Sequence, residues 1–186
     1  MNNRGFTIFE TLIAITISVS MLGLILSIYA LTMRSINFSQ DRGEVSQNSR
    51  IIIERLTRDI RQTRDIATIL PEDKDDPEIT PPSEIEMRDG HEIEDFQYIR
   101  YYLTGTDISR QIRQYYYAAE PETLVPFDAA DDFGNPPLVT IVEDELVGQY
   151  IDTIIYYGTG SLTVELGLLK RDIKHSTKTT VYGRNL

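Results

Sequence analysis

The chain has 186 residues, a formal net charge of -11 and no cysteine. That length suits one globular domain with an additional element rather than two domains. The missing cysteines remove disulfides, thiolate zinc sites and thiol nucleophiles. The acidic balance argues against nucleic acid as a direct partner, because phosphate recognition needs clustered Lys and Arg. Charge is unevenly spread: residues 1–70 carry a net +2 and residues 71–186 a net -13. The two histidines, His91 and His175, read as solvated or core-satisfied side chains rather than as metal ligands.

The first element is apolar. From Thr11 to Met33 there are twenty-three residues without a charge, close to the ~20 that carry a helix across the hydrocarbon core of a bilayer. The run is longer than the apolar region of a removable secretory signal, and Ile28 before Ala30 makes a poor cleavage site. A retained membrane-spanning helix is therefore expected. Orientation read from charge conflicts with export: Arg4 precedes the span while Arg34, Arg42 and Arg50 follow it, which by itself favours the wrong end inside. Glu10 at the start of the span is costly unless it finds a partner, and that marks it as a functional residue.

The stretch Arg4-Gly5-Phe6-Thr7-Ile8-Phe9-Glu10-Thr11-Leu12-Ile13 closely resembles the class III leader junction of type IV pilins and type II secretion pseudopilins. The resemblance implies a leader of residues 1–5, cut after Gly5 by a prepilin peptidase that also methylates the new amine of Phe6. It implies that Glu10 pairs with the Phe6 amine of a neighbouring subunit, so that two costly charges compensate each other during assembly. Residues 6–33 would be the transmembrane part of the helix. The resemblance also resolves the orientation, with the leader inside and the head outside. Its implied partners are the peptidase/methyltransferase, other pilins or pseudopilins and an inner-membrane assembly platform. Its implied location is the cytoplasmic membrane as a single-pass protein, then a pilus or pseudopilus at the cell surface or in the periplasm.

An amphipathic continuation of the helix is expected over residues 34–70. Val45, Ile52, Leu56, Ile60, Ala67 and Leu70, with Ser49 and Thr63 in the gaps, recur at three- and four-residue steps and mark one buried face. Arg50/Glu54, Glu54/Arg58, Arg55/Asp59 and Arg61/Asp65 would pair at i,i+4 on the solvated face. Gly23 and Gly43 are where such a helix could bend. The proline that major pilins commonly carry in mid-membrane, near Ser27 here, is missing, as is their frequent C-terminal disulfide loop. Both departures point away from a bulk filament subunit.

Residues 71–84, proline-rich and acidic, form a connector that cannot be helical throughout. A β-rich head of residues 85–186 is expected beyond it. Strands are predicted at 85–87, 96–103 and 107–117, the last two joined by a turn at Thr104-Gly105-Thr106. A second hairpin covers 150–169 with its turn at Gly158-Thr159-Gly160, and a last strand covers 177–182. The fold class is α+β, a long N-terminal helix packed on an antiparallel sheet, pilin-like in outline. The Tyr-Tyr-Leu-x-Gly hairpin and the closing Thr180-Val181-x-x-Arg184-Asn185 resemble J-type minor pseudopilins and W-type minor pilins. The expected function is therefore a minor pilin or pseudopilin that primes or decorates a filament. A major subunit and a membrane-anchored binding domain are the alternatives.

The ten tyrosines from Tyr98 to Tyr182 read as sheet residues, roughly every second one buried. Asp128, Asp131 and Asp132 sit in one acidic loop that could hold calcium, although the spacing does not match an EF-hand and a solvated loop is the expected state. No spacing pairs a nucleophile with a base, so no enzymatic activity is expected.

Overall fold

The computed structural model describes residues 7–90 and 96–183. Helix α1 runs Ile8–Gln62, and among the described residues nine strands follow: β1 Asp65–Ile66, β2 Ile85–Arg88, β3 Gln97–Thr104, β4 Asp107–Tyr117, β5 Glu120–Leu124, β6 Leu138–Gly148, β7 Ile151–Tyr157, β8 Leu162–Lys170 and β9 Ile173–Val181. The α+β class holds. The chain divides into two compact units, residues 1–43 and 44–186.

In the first unit the helix carries no charged residue on any side between Thr11 and Met33. It is long and apolar enough to cross a membrane, and none of the residues in its most apolar window is buried. Hydroxyls within it are satisfied locally: Thr16, Ser20, Ser27 and Thr32 each donate to the carbonyl four residues earlier at 2.8 Å. Hydroxyls that bond within their own helix are the kind that lipid tolerates. Gly23 lies within continuous helix, as does Gly43 at the end of the unit.

In the second unit the predicted stripe packs as expected up to Ile60. Val45, Ser49, Ile52, Leu56 and Ile60 are buried in a cluster with residues of two sheets. The first sheet runs β1-β2-β3-β4-β5, with β6 also paired to β4; the second is β7-β8-β9. All pairings are antiparallel. Thr104 faces Asp107 across the β3–β4 turn, and Gly105 there has φ +64°, the left-handed backbone that a tight hairpin requires.

Four differences from the sequence reading have physical causes. The helix stops at Gln62 rather than near residue 70 because β2 captures the next segment. Arg64 donates its amide to the Arg88 carbonyl at 3.0 Å and Ala67 to that of Glu86 at 2.9 Å. Gly90 allows the close approach, since a Cβ there would sit 2.0 Å from the Gln62 carbonyl oxygen. Asp65 is consequently in a strand and offers Arg61 no helical pair. Secondly, the head holds two sheets instead of one, and β5 and β6 fill a region for which no strand is predicted. β6 escapes prediction because Glu143-Asp144-Glu145 is unfavourable in a strand, yet the structure supplies partners. Glu145 pairs with Arg55, Asp144 accepts from Tyr102 and Gln111, and Glu143 lies 3.7 Å from Arg110.

Thirdly, the connector is docked rather than loose. The Pro71 and Pro82 carbonyls accept from the Gly158 and Tyr156 amides at 2.8 and 3.2 Å, tying the connector to the end of β7. Fourthly, Arg55 and Asp59 do not form the expected solvated pair. Asp59 is buried, accepting at 2.8 Å from both the Tyr101 hydroxyl and Arg110 Nε, while Arg55 clamps Glu145 through two nitrogens. Burial, reinforced by Asp59, pushes the Tyr101 phenol well up, so it stays a donor.

These contacts make the head sensitive at two points. Asp59→Asn removes the buried carboxylate of Arg110 and leaves it only the exposed Glu143 at 3.7 Å, which should cost about 3 kcal/mol, and Leu56→Ala should cost about 2–5 kcal/mol through the cavity it opens. Both are read from denaturant unfolding of the detergent-solubilised chain, and a loss under 1 kcal/mol for either contradicts this packing. The hydrogen bonds from Arg55 hold Glu145 below the usual carboxylate range. Its contribution is therefore present above the unfolded value of about 4.3 and is lost as pH falls through the lower folded value. Glu145→Gln should flatten that acid limb.

Candidate functional site

Gly5 and Phe6, the residues expected to be cleaved and methylated, lie with Arg4 outside the described residues, as do His91 and the terminal Arg184 and Asn185. Glu10 is described, in the first turn of α1. Its carboxylate Oε2 accepts from the Thr7 amide at 2.9 Å and the Thr7 hydroxyl at 3.0 Å, while the Thr7 hydroxyl accepts from the Glu10 amide at 3.3 Å. This is a capping box, in which the residue before the helix and the one three positions later satisfy each other's exposed amides. A carboxylate there also complements the positive end of the helix dipole. Sequence reasoning found Glu10 but missed its partner; Thr7, three residues before a Glu and at the head of an apolar run, was the available signal.

Around the cap the surface is apolar. Ile8 is 85% and Phe9 72% exposed, and Leu12, Ile13, Ile15 and Ile17 follow in the same state. Phe9, Leu12, Ile13, Thr16 and Ile17 line a shallow hollow on one side of this turn. The segment thus places one capped anionic group at the end of an uncovered hydrophobic surface.

The three acidic loop residues are not gathered into a site. Among the described residues no group of three or more His, Asp or Glu side chains is placed to hold a metal ion. Asp131 is engaged by its own loop: Oδ1 accepts from the Phe133 and Asn135 amides at 2.9 and 2.7 Å, and Oδ2 from the Asn135 side chain at 2.9 Å. Those bonds hold its pKa below the ordinary value.

His175 joins a short hydroxyl relay, with Nε2 3.1 Å from the Thr177 hydroxyl and that hydroxyl 3.0 Å from Ser49. Of the tyrosines, Tyr98, Tyr101, Tyr156 and Tyr157 are buried and Tyr182 is exposed. Tyr98 packs edge-on against Tyr115 and Phe127 at 5.3 and 5.6 Å. Burial and its hydrogen bond to Glu86 raise Tyr115 to about 12. These are sheet residues as expected, but their burial does not alternate: the neighbours Tyr156 and Tyr157 are both buried, while Tyr115, Tyr116 and Tyr117 are all half-buried.

No family model, curated protein or solved structure matches this chain.

The cap makes a direct prediction. Thr7→Ala should weaken the first turn by about 1 kcal/mol, seen as several-fold faster amide exchange around Glu10 with exchange in β7 and β8 unchanged. Equal exchange in both proteins would mean that the cap does not hold the turn.

Proposed function

We propose that this chain is a prepilin-like subunit, a minor pilin or pseudopilin that is cleaved after Gly5, methylated at Phe6 and assembled into a filament through its apolar helix. One observation carries the reading. The motif Arg4-Gly5-Phe6-Thr7 followed by Glu10 stands directly before a helix whose apolar surface is uncovered in the chain itself. Such a surface needs lipid or other helices around it, and a subunit that leaves the bilayer for a filament exchanges the first for the second.

Glu10 gains a more specific role on this reading. In the single chain its carboxylate is committed to Thr7. In the filament the methylated Phe6 amine of a neighbour is the stronger partner, because the bond becomes charge-assisted on both sides. The lack of a mid-membrane proline and of a disulfide favours a minor over a major subunit. The head is then exported and presents its surfaces to neighbouring subunits or cargo, with no catalytic step of its own.

The test is intact-mass and N-terminal peptide mass spectrometry on the protein from its native membrane. The expected chain begins at methylated Phe6. A chain that still begins at Met1 where prepilin peptidase is active would leave a simple membrane-anchored domain. Abundance in sheared filaments at the level of the bulk subunit would make it a major pilin. Within the filament reading, Glu10→Ala should reduce incorporation at least tenfold with the head still folded, and wild-type incorporation would remove the charge-pair role.

A further inference from the structure

Sheet edges are templates for unwanted pairing, and folded proteins defend them with short strands, proline, lysine or a covering segment. Nearly every edge of this head is defended in one of those ways. β1 has two residues. β5 is polar and contains Pro121. β7 is partly covered, its Ile151 and Tyr156 amides donating to the Thr106 and Pro82 carbonyls. β9 carries Lys174 and Lys178.

β6 is different. It is eleven residues long, has neither proline nor lysine, and among the described residues pairs with β4 alone, with register shifts at Val142 and Val147 that leave its N-terminal stretch of Leu138 to Ile141 regular. Leu138, Val139, Ile141 and Val142 are each about half exposed, at 48–54%, so apolar side chains stand out from the strand beside an open row of backbone groups. The other end of the strand is acidic, with Glu143, Asp144 and Glu145.

At its N-terminal end β6 enters a cleft of about 550 Å³. Leu138 lines it together with Tyr117, Phe133, Asp131 and Asp132. Phe133 is 90% exposed at the loop tip, and Asp131 and Asp132 lie close enough to Tyr117 to raise its phenol, after the effect of desolvation. Asp131 is engaged by its own loop, so Asp132 is the carboxylate that, with the two aromatic rings lining the cleft, offers a cationic side chain charge and ring faces.

We propose that the free edge of β6 and the adjoining aromatic-acidic cleft form a docking site for an extended segment of a partner protein, which adds to the sheet as an antiparallel strand and ends in a Lys or Arg seated between Tyr117, Phe133 and Asp132. Backbone pairing along the edge supplies affinity, and the apolar positions and terminal cation supply selectivity. An antiparallel strand places its C-terminal end beside Leu138, so the cation belongs at that end. A second copy of this chain is the poorer occupant: its other long edge, β9, exposes Lys174, Ser176, Lys178 and Thr180, which offer nothing apolar to Val139 and Ile141. The proposal is independent of how the N-terminal segment is processed.

The test uses the full chain in detergent micelles and a fluorescein-labelled peptide, Val-Thr-Val-Thr-Val-Thr-Lys, followed by anisotropy and by amide exchange. Binding should slow exchange at least fivefold across residues 138–146. Ile141→Lys and Asp132→Lys should each weaken binding at least tenfold, as should replacing the peptide's lysine by glutamate. Both variants alter exposed positions, and an unchanged melting temperature verifies that they fold. Absence of binding at millimolar peptide overturns the proposal, as does binding indifferent to Ile141→Lys or protection outside β6. A peptide-free dimer that Ile141→Lys dissolves would assign the edge to a second copy and overturn the proposed partner.

Discussion

One stripe of helix organises the head. Val45, Ser49, Ile52, Leu56 and Ile60 recur at three- and four-residue steps, and all are buried. Ile85, Met87, Ile99 and Ile108 from the first sheet belong to the same cluster, as do Ile154, Val164, Leu166 and Leu168 from the second. Neither sheet could bury its inner face alone, because a sheet needs a second layer over its apolar side. The helix supplies that layer, so every strand depends on a segment that is continuous in sequence with the apolar N-terminal run.

That continuity sets the functional constraint. The same helix is buried among strands at one end and uncovered at the other, and its composition changes accordingly. Between Thr11 and Met33 there is no charge, and hydroxyls turn back onto their own carbonyls. Beyond Glu44 the helix uses charge for specific contacts, Arg55 to Glu145 and Asp59 to Arg110. A buried ion pair adds little net stability but is costly to misplace. Asp59 and Arg110 therefore penalise any register of helix on sheet that would leave either one alone, a discrimination that apolar residues of similar size cannot provide.

Periodic features were the legible ones. The apolar run, the helical stripe up to Ile60 and the two hairpins about Gly105 and Gly158–Gly160 all follow from patterns that local backbone geometry enforces. The helix end was not legible, because Ala67 and Leu70 continue the helical spacing and only the long-range capture by β2 stops it. β6 was hidden for a related reason: its acids become tolerable once Arg55, Tyr102 and Arg110 face them, and those partners are distant in sequence. At the candidate site, Glu10 could be read from its cost in an apolar run, whereas the loop acids misled, since a row of aspartates can equally be a loop that caps itself, as Asp131 does.

The two uncovered surfaces of this chain differ in what can satisfy them. Beyond its first turn the N-terminal helix exposes side chains, its backbone groups pairing along the helix itself, so anything apolar will cover it, whether lipid tails or other helices. The edge of β6 exposes backbone donors and acceptors as well as Val139 and Ile141, which lipid cannot satisfy and water satisfies only for the polar groups. Another strand is what meets both needs together. An indifferent surface suits a segment that must pass from one apolar environment to another, and a selective one suits recognition. The chain thus separates the requirement to be held from the requirement to choose what it meets, and it places them on different elements of secondary structure.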